Sequence, residues 1–103
     1  MTDAYVIHEP GGTITVAASA IADVVARAVE EVDGASLRRR RRRLHIDVDG
    51  DRARVELELA ARYGEVLPEL AQGVQQGVAA ALSAMCGLRI DAVDVAIEEL
   101  EAP

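Results

Sequence analysis

Residues 63–97 read YGEVLPELAQGVQQGVAAALSAMCGLRIDAVDVAI, and this stretch decides the fold. Within it Leu67, Leu70, Ala71, Val74, Val78, Leu82 and Met85 recur at three- and four-residue steps, the spacing that lays apolar side chains along one helical face. Pro68 suits only the first helical turn, where its missing N–H leaves little unsatisfied, so the helix starts within a residue or two of Glu65 to Leu67. Gly64 supplies the turn before it. Gly87 follows Cys86 where a left-handed residue would close the helix, and Leu88-Arg89-Ile90 begins an extended segment. Val93, Val95 and Ile97 alternate in the opposite parity to Leu88 and Ile90, which predicts a bend or bulge near Asp91-Ala92.

Upstream, Leu44, Ile46 and Val48 alternate with His45, Asp47 and Asp49. After Asp49-Gly50-Asp51, Val55, Leu57, Leu59 and Ala61 alternate with Arg54, Glu56, Glu58 and Arg62. Asp-Gly flanked by alternating strands is the strongest short-range hairpin signal. One face of this hairpin is apolar and the other charged, so the sheet is covered on one side only. His45 and Asp47 share the charged face, where charge pairing explains them better than a metal or acid–base site.

Earlier still, Thr13-Ile14-Thr15-Val16 is β-branched and alternating, a short strand. Ile21, Val24, Val25, Ala28, Val29 and Val32 then mark a helical face from about Ala18 to Val32, and Asp33-Gly34 ends it. Glu30, Glu31 and Asp33 crowd that end against the helix dipole, which calls for a nearby cation. Met1 to Gly12 has no clear period and is broken by Pro10-Gly11-Gly12. It reads as a flexible arm in which Tyr5-Val6-Ile7 pairs weakly as an edge strand. The expected architecture is a small α+β two-layer sandwich in β-α-β-β-α-β order, with two helices on one face of a mostly antiparallel sheet. Residues 13–103 form its single domain.

Half of the 103 residues are hydrophobic, yet tyrosine supplies the only two aromatics, so the core is aliphatic. One cysteine excludes an internal disulfide, and no leader or apolar run of about 18 residues appears, so a cytoplasmic protein without direct membrane insertion is expected. The formal charge is −7, but Arg38, Arg39, Arg40, Arg41, Arg42 and Arg43 stand together. Without them five basic residues face eighteen acidic ones, a balance of −13. The chain is electrically two-sided. Leu44, Ile46 and Val48 cannot share a buried face with Arg38, Arg40 and Arg42, so the strand is expected to begin near Arg42 or Arg43 and the earlier arginines to be exposed.

Several of these residues resemble the alkaline shock protein family in combination. Tyr63-Gly64, Pro68-Glu69, Met85-Cys86-Gly87-Leu88 and Val93-Asp94-Val95 are similar to the family's C-terminal half, with Cys86 standing where the family has threonine. Glu31-Val32-Asp33-Gly34 is similar to the end of the family's first helix. The resemblance covers roughly residues 13 to 98. The chain departs from it where family members carry a long glycine-rich loop: here Ala35-Ser36-Leu37 leads directly into the arginines. The resemblance implies a non-enzymatic protein-interaction module of the cell envelope stress response, cytoplasmic, homo-oligomeric and recruited to the membrane by a separate anchoring partner.

No catalytic set can be assembled from the residues, and neither a metal-ligand spacing nor a phosphate loop is present, so no enzyme, metal or cofactor is expected. Cys86 closes an apolar helical face, where a buried inert thiol is the ordinary case. Gly73, Gly77 and Ala84 form a stripe of small residues on the main helix. Two interior glycines cost about 1 kcal/mol each against alanine, and either close approach of the first helix or a helix of another subunit would offset that; the second makes the stripe a self-association surface. The six arginines read either as a solvated charged loop or as a binding patch, and as a patch a contact for an acidic protein partner is favoured over an anionic membrane surface. The alternative is a nucleic-acid-binding domain gripping phosphate with the same run, against which stand the missing Phe and Trp and the acidic body.

Overall fold

A computed structural model describes residues 4–37 and 44–102. Six strands and two helices follow in the order β1 (Ala4–Glu9), β2 (Gly12–Ala17), α1 (Ala18–Glu30), β3 (Ala35–Leu37), β4 (Leu44–Asp49), β5 (Arg52–Arg62), α2 (Leu67–Cys86) and β6 (Arg89–Glu101). The α+β class holds, with both helices burying their apolar stripes on one face of the main sheet.

β5 is the spine of that sheet. β4 runs antiparallel to it from the Asp49/Arg52 pair to the Leu44/Leu57 pair, as the Asp-Gly hairpin requires. β6 lies on its other side and runs parallel, with Val55 opposite Val93 and Leu57 opposite Val95. Among the described residues the pairings are mostly antiparallel, as expected, and this one parallel pairing has a simple reason. The 20-residue α2 is about 30 Å long at 1.5 Å per residue, enough to carry the chain back along β5, so the strand after it starts where β5 started. The expected irregularity near Asp91-Ala92 is present: Ala53 faces Ile90 while Arg54 faces Ala92, which leaves Asp91 as the extra residue. A second shift follows at Leu59/Ala60.

The helical phase is as the periodicity predicts. Leu70, Val74, Val78 and Leu82 are buried, and the last three join Ile21, Val25, Val29, Val55, Leu57, Leu59 and Val93 in one aliphatic cluster; Val95 is half-buried against it. Gly87 closes α2 in the left-handed region at φ 67°, its N–H donating to Ser83 O at 3.1 Å. Met85 is the exception on this face, 71% exposed. It shares the helical arc of Val74 and Val78 but sits in the last turn of α2.

Two strands go beyond the expected order. Tyr5-Val6-Ile7 is the middle of a six-residue strand paired with β2 along its whole length, from Ala4/Ala17 to Glu9/Gly12. Pro10-Gly11, read as a break, is the turn between them. The hairpin is a separate two-stranded sheet, tied to the body where Ile7 is buried and the Tyr5 hydroxyl donates to Ile46 O at 3.3 Å. β3 is the second addition: Ala35-Ser36-Leu37, expected as a loop, pairs with Ala61, Ala60 and Leu59 of β5. A three-residue strand is too short to show a period.

Candidate functional site

The charged face of the sheet is built by the same alternation that builds the core. Each inward residue of β5 places an outward one beside it, so Arg52, Arg54, Glu56, Glu58 and Arg62 point away from the helices. Register then sets their neighbours: Asp49 lies opposite Arg52, Asp47 opposite Arg54 and His45 opposite Glu56. The ion pairs form mainly toward β6. Arg52 Nη2 stands 2.9 Å from Asp91 Oδ1, and Arg54 Nη2 stands 3.2 Å from Asp94 Oδ2. The bulge that makes Asp91 the extra residue thus serves the charged face. His45 Nε2 and Asp47 Oδ1 meet at 3.1 Å along one strand. All these groups are exposed, so each pair is weak and screened by salt, and together they fix orientation more than they stabilise.

Arg62 makes the most connected of these contacts. Its Nη2 donates to Asp33 Oδ2 at 2.9 Å and to Glu65 Oε2 at 2.8 Å. These two hydrogen bonds, Asp33 first, hold the guanidinium still more firmly protonated than an ordinary arginine. Arg62 is also a cation of the kind that the acidic end of α1 calls for. The clamp joins the turn after α1 to the turn before α2. Between them lies Gly34, at φ 90°, where an added Cβ would stand 2.8 Å from Glu65 Cδ; only glycine lets the Glu65 side chain lie there.

A shallow depression of about 330 Å³ lies on the charged face between β5 and β6, lined by Glu56, Glu58, Asp94, Ala96 and Glu98. Ala96 is opposite Glu58 and makes the low point. With four carboxylates around it the depression repels anions and suits a cationic side chain. Among the described residues no three His, Cys, Asp or Glu side chains are gathered to hold a metal ion. Cys86 is half-buried, and burial pushes its thiol pKa up, away from the reactive thiolate.

The six arginines, Arg38 to Arg43, lie outside the described residues, as does the expected strand start near Arg42 or Arg43; β4 is described from Leu44. The stripe of small residues divides. A Cβ on Gly73 would stand 3.6 Å from Val32 Cγ1 and one on Gly77 3.7 Å from Ala28 O, so both glycines face α1 of the same chain. Ala84 is exposed. Sequence reasoning missed the Arg62 clamp because its partners lie 29 and 3 residues away and no local pattern links them.

This geometry defines a small α+β sandwich whose helix pair covers one face of the sheet and whose other face is charged and open. The chain belongs to the alkaline shock protein family: the model described as "Asp23 family, cell envelope-related function" matches residues 6–102, the name being the family's and not that of the aspartate at position 23. Among solved structures the fold is similar to that of the MamM C-terminal domain. A doubly substituted form is 19% identical, with 81% of this chain and 94% of that chain covered and a TM-score of 0.56. A singly substituted form is 17% identical, with 84% and 99% covered and a TM-score of 0.53. At these identities the likeness is one of fold. A search of curated proteins finds no significant match. Among the described residues no helix is long and apolar enough to cross a membrane.

Proposed function

We propose that this chain is a non-enzymatic protein-interaction module of the cell envelope stress response, cytoplasmic and brought to the membrane by an anchoring partner. The observation that carries the reading is the family match over residues 6–102, with its cell envelope-related description. The charged sheet face supports it physically. Its side chains are oriented by ion pairs, its depression is shallow, and its carboxylates suit a protein surface better than a small anionic substrate. In this reading Arg38 to Arg43 contact an acidic surface of the partner, and the chain self-associates. Gly73 and Gly77 are occupied by α1, so the sheet edges are better placed for self-association than the glycine stripe: among the described residues β6 pairs only with β5.

The competing reading is a nucleic-acid-binding domain, favoured by the six adjacent arginines and opposed by the carboxylates of the sheet face. Crosslinking in intact cells followed by fractionation separates the two. Recovery in the membrane fraction, crosslinked to protein and insensitive to nuclease, is the expected result. Recovery mainly with RNA or DNA would reverse the ranking.

A further inference from the structure

β3 and β4 both run antiparallel to β5 along the same side of it, one after the other. Leu37, the end of β3, lies opposite Leu59, and Leu44, the start of β4, lies opposite Leu57. The chain therefore advances seven residues while β5 advances two, an excess of five over an unbroken antiparallel strand. We infer that β3 and β4 are the two halves of a single edge strand divided by a five-residue, register-neutral insertion, so that the arginine run is separable from the fold that carries it.

Parity is the argument. In an antiparallel sheet successive side chains alternate between faces, and a slip of one residue sends a whole strand's apolar set to the wrong side. Leu37 and Leu44 are both half-buried and packed against the core, opposite two buried leucines of β5. An unbroken strand would hold one outward residue between them, opposite Glu58. In a chain shortened by five residues an arginine would take that outward place and make an unlike-charge cross-strand pair with Glu58. Taking out residues 39–43 leaves Leu37-Arg38-Leu44, which reads inward, outward, inward. Taking out all of 38–43 makes Leu37 and Leu44 neighbours, and one of them must then turn to the charged face. The inference is independent of what the arginines bind. Strand-interrupting insertions are built features of sheets rather than defects, and a connection of this length costs the fold little.

Three variants of the full chain test it: one lacking 39–43, one lacking 38–43, and one of parental length with all six arginines changed to serine. Thermal melting and backbone NMR are read on each. The variant lacking 39–43 should melt at or above the serine variant and show a cross-strand contact between residue 38 and Glu58. The variant lacking 38–43 should melt several degrees lower, with new exposure at Leu37 or Leu44. If the variant lacking 39–43 is unfolded, or melts clearly below the serine variant, or if the two deletions melt alike, β3 and β4 are not halves of one strand and the inference fails.

Discussion

Arg62 and Asp33 meet at 2.9 Å across 29 residues of sequence, and the same guanidinium holds Glu65 at 2.8 Å, so one side chain fastens the exit of α1 to the entry of α2. Arg62→Ala should lower the melting temperature by a few degrees at low salt and by less in about 1 M salt, where the Debye length shrinks to about 3 Å. Arg62→Lys should restore only part of the loss, because the ammonium is more strongly hydrated and sits on a shorter side chain than the Nη2 that reaches both carboxylates. Melting curves in both salts check this; an Arg62→Ala variant that melts like the parent at low salt removes the clamp from the account.

Leu82 is fully buried in the aliphatic cluster, and Leu82→Ala should cost about 2–5 kcal/mol; Val74→Ala should cost somewhat less. Gln75 is exposed, and its side-chain amide donates to Val93 O at 2.9 Å, so Gln75→Ala should cost only about 1 kcal/mol. Urea titration gives all three. A near-neutral Val74→Ala beside an unfolded Gln75→Ala would overturn the helical phase.

Gly77 faces the Ala28 carbonyl with room for a methyl group and no more. Gly77→Ala should therefore stabilise by up to about 1 kcal/mol through helix propensity. Gly77→Leu should destabilise, because its added atoms have to displace α1. Were Gly77→Leu instead harmless to folding but disruptive to self-association, measured by light scattering, the glycines would belong to a subunit interface.

Burial raises the Cys86 pKa, so the folded state holds the thiol proton more tightly than the unfolded state. This group's contribution to stability is therefore fully present below the ordinary thiol pKa and is lost as pH rises from there through the raised pKa of the folded state. Alkylation of Cys86 in the native protein should show a midpoint above that of the urea-unfolded chain. A native midpoint at or below the unfolded one would mean a reactive thiol.

Much of this fold could be read locally. The Asp49-Gly50 hairpin, the α2 stripe ending at Gly87 and the bulge at Asp91 each announce themselves within one short continuous stretch of sequence, through period or parity. What stayed hidden depends on pairing at a distance. β1 has no period of its own and is defined by β2; β3 is three residues long beside a run of arginines; β6 is parallel only because of where α2 delivers it. Charge on the outer face was legible as alternation, but the partners of Arg62 and the depression around Ala96 required the register of β5 with β6.

The proposed function requires the chain to bind a protein at the envelope through its arginine run. The most direct test is co-sedimentation of the parent and the six-serine variant with isolated native membranes, with protease-treated membranes, and with pure anionic vesicles, each at low salt and after nuclease treatment. The parent should sediment with native membranes only, and the serine variant should stay in solution while melting like the parent. Equal sedimentation of the two proteins, binding to bare vesicles, or loss of binding on nuclease treatment would contradict it.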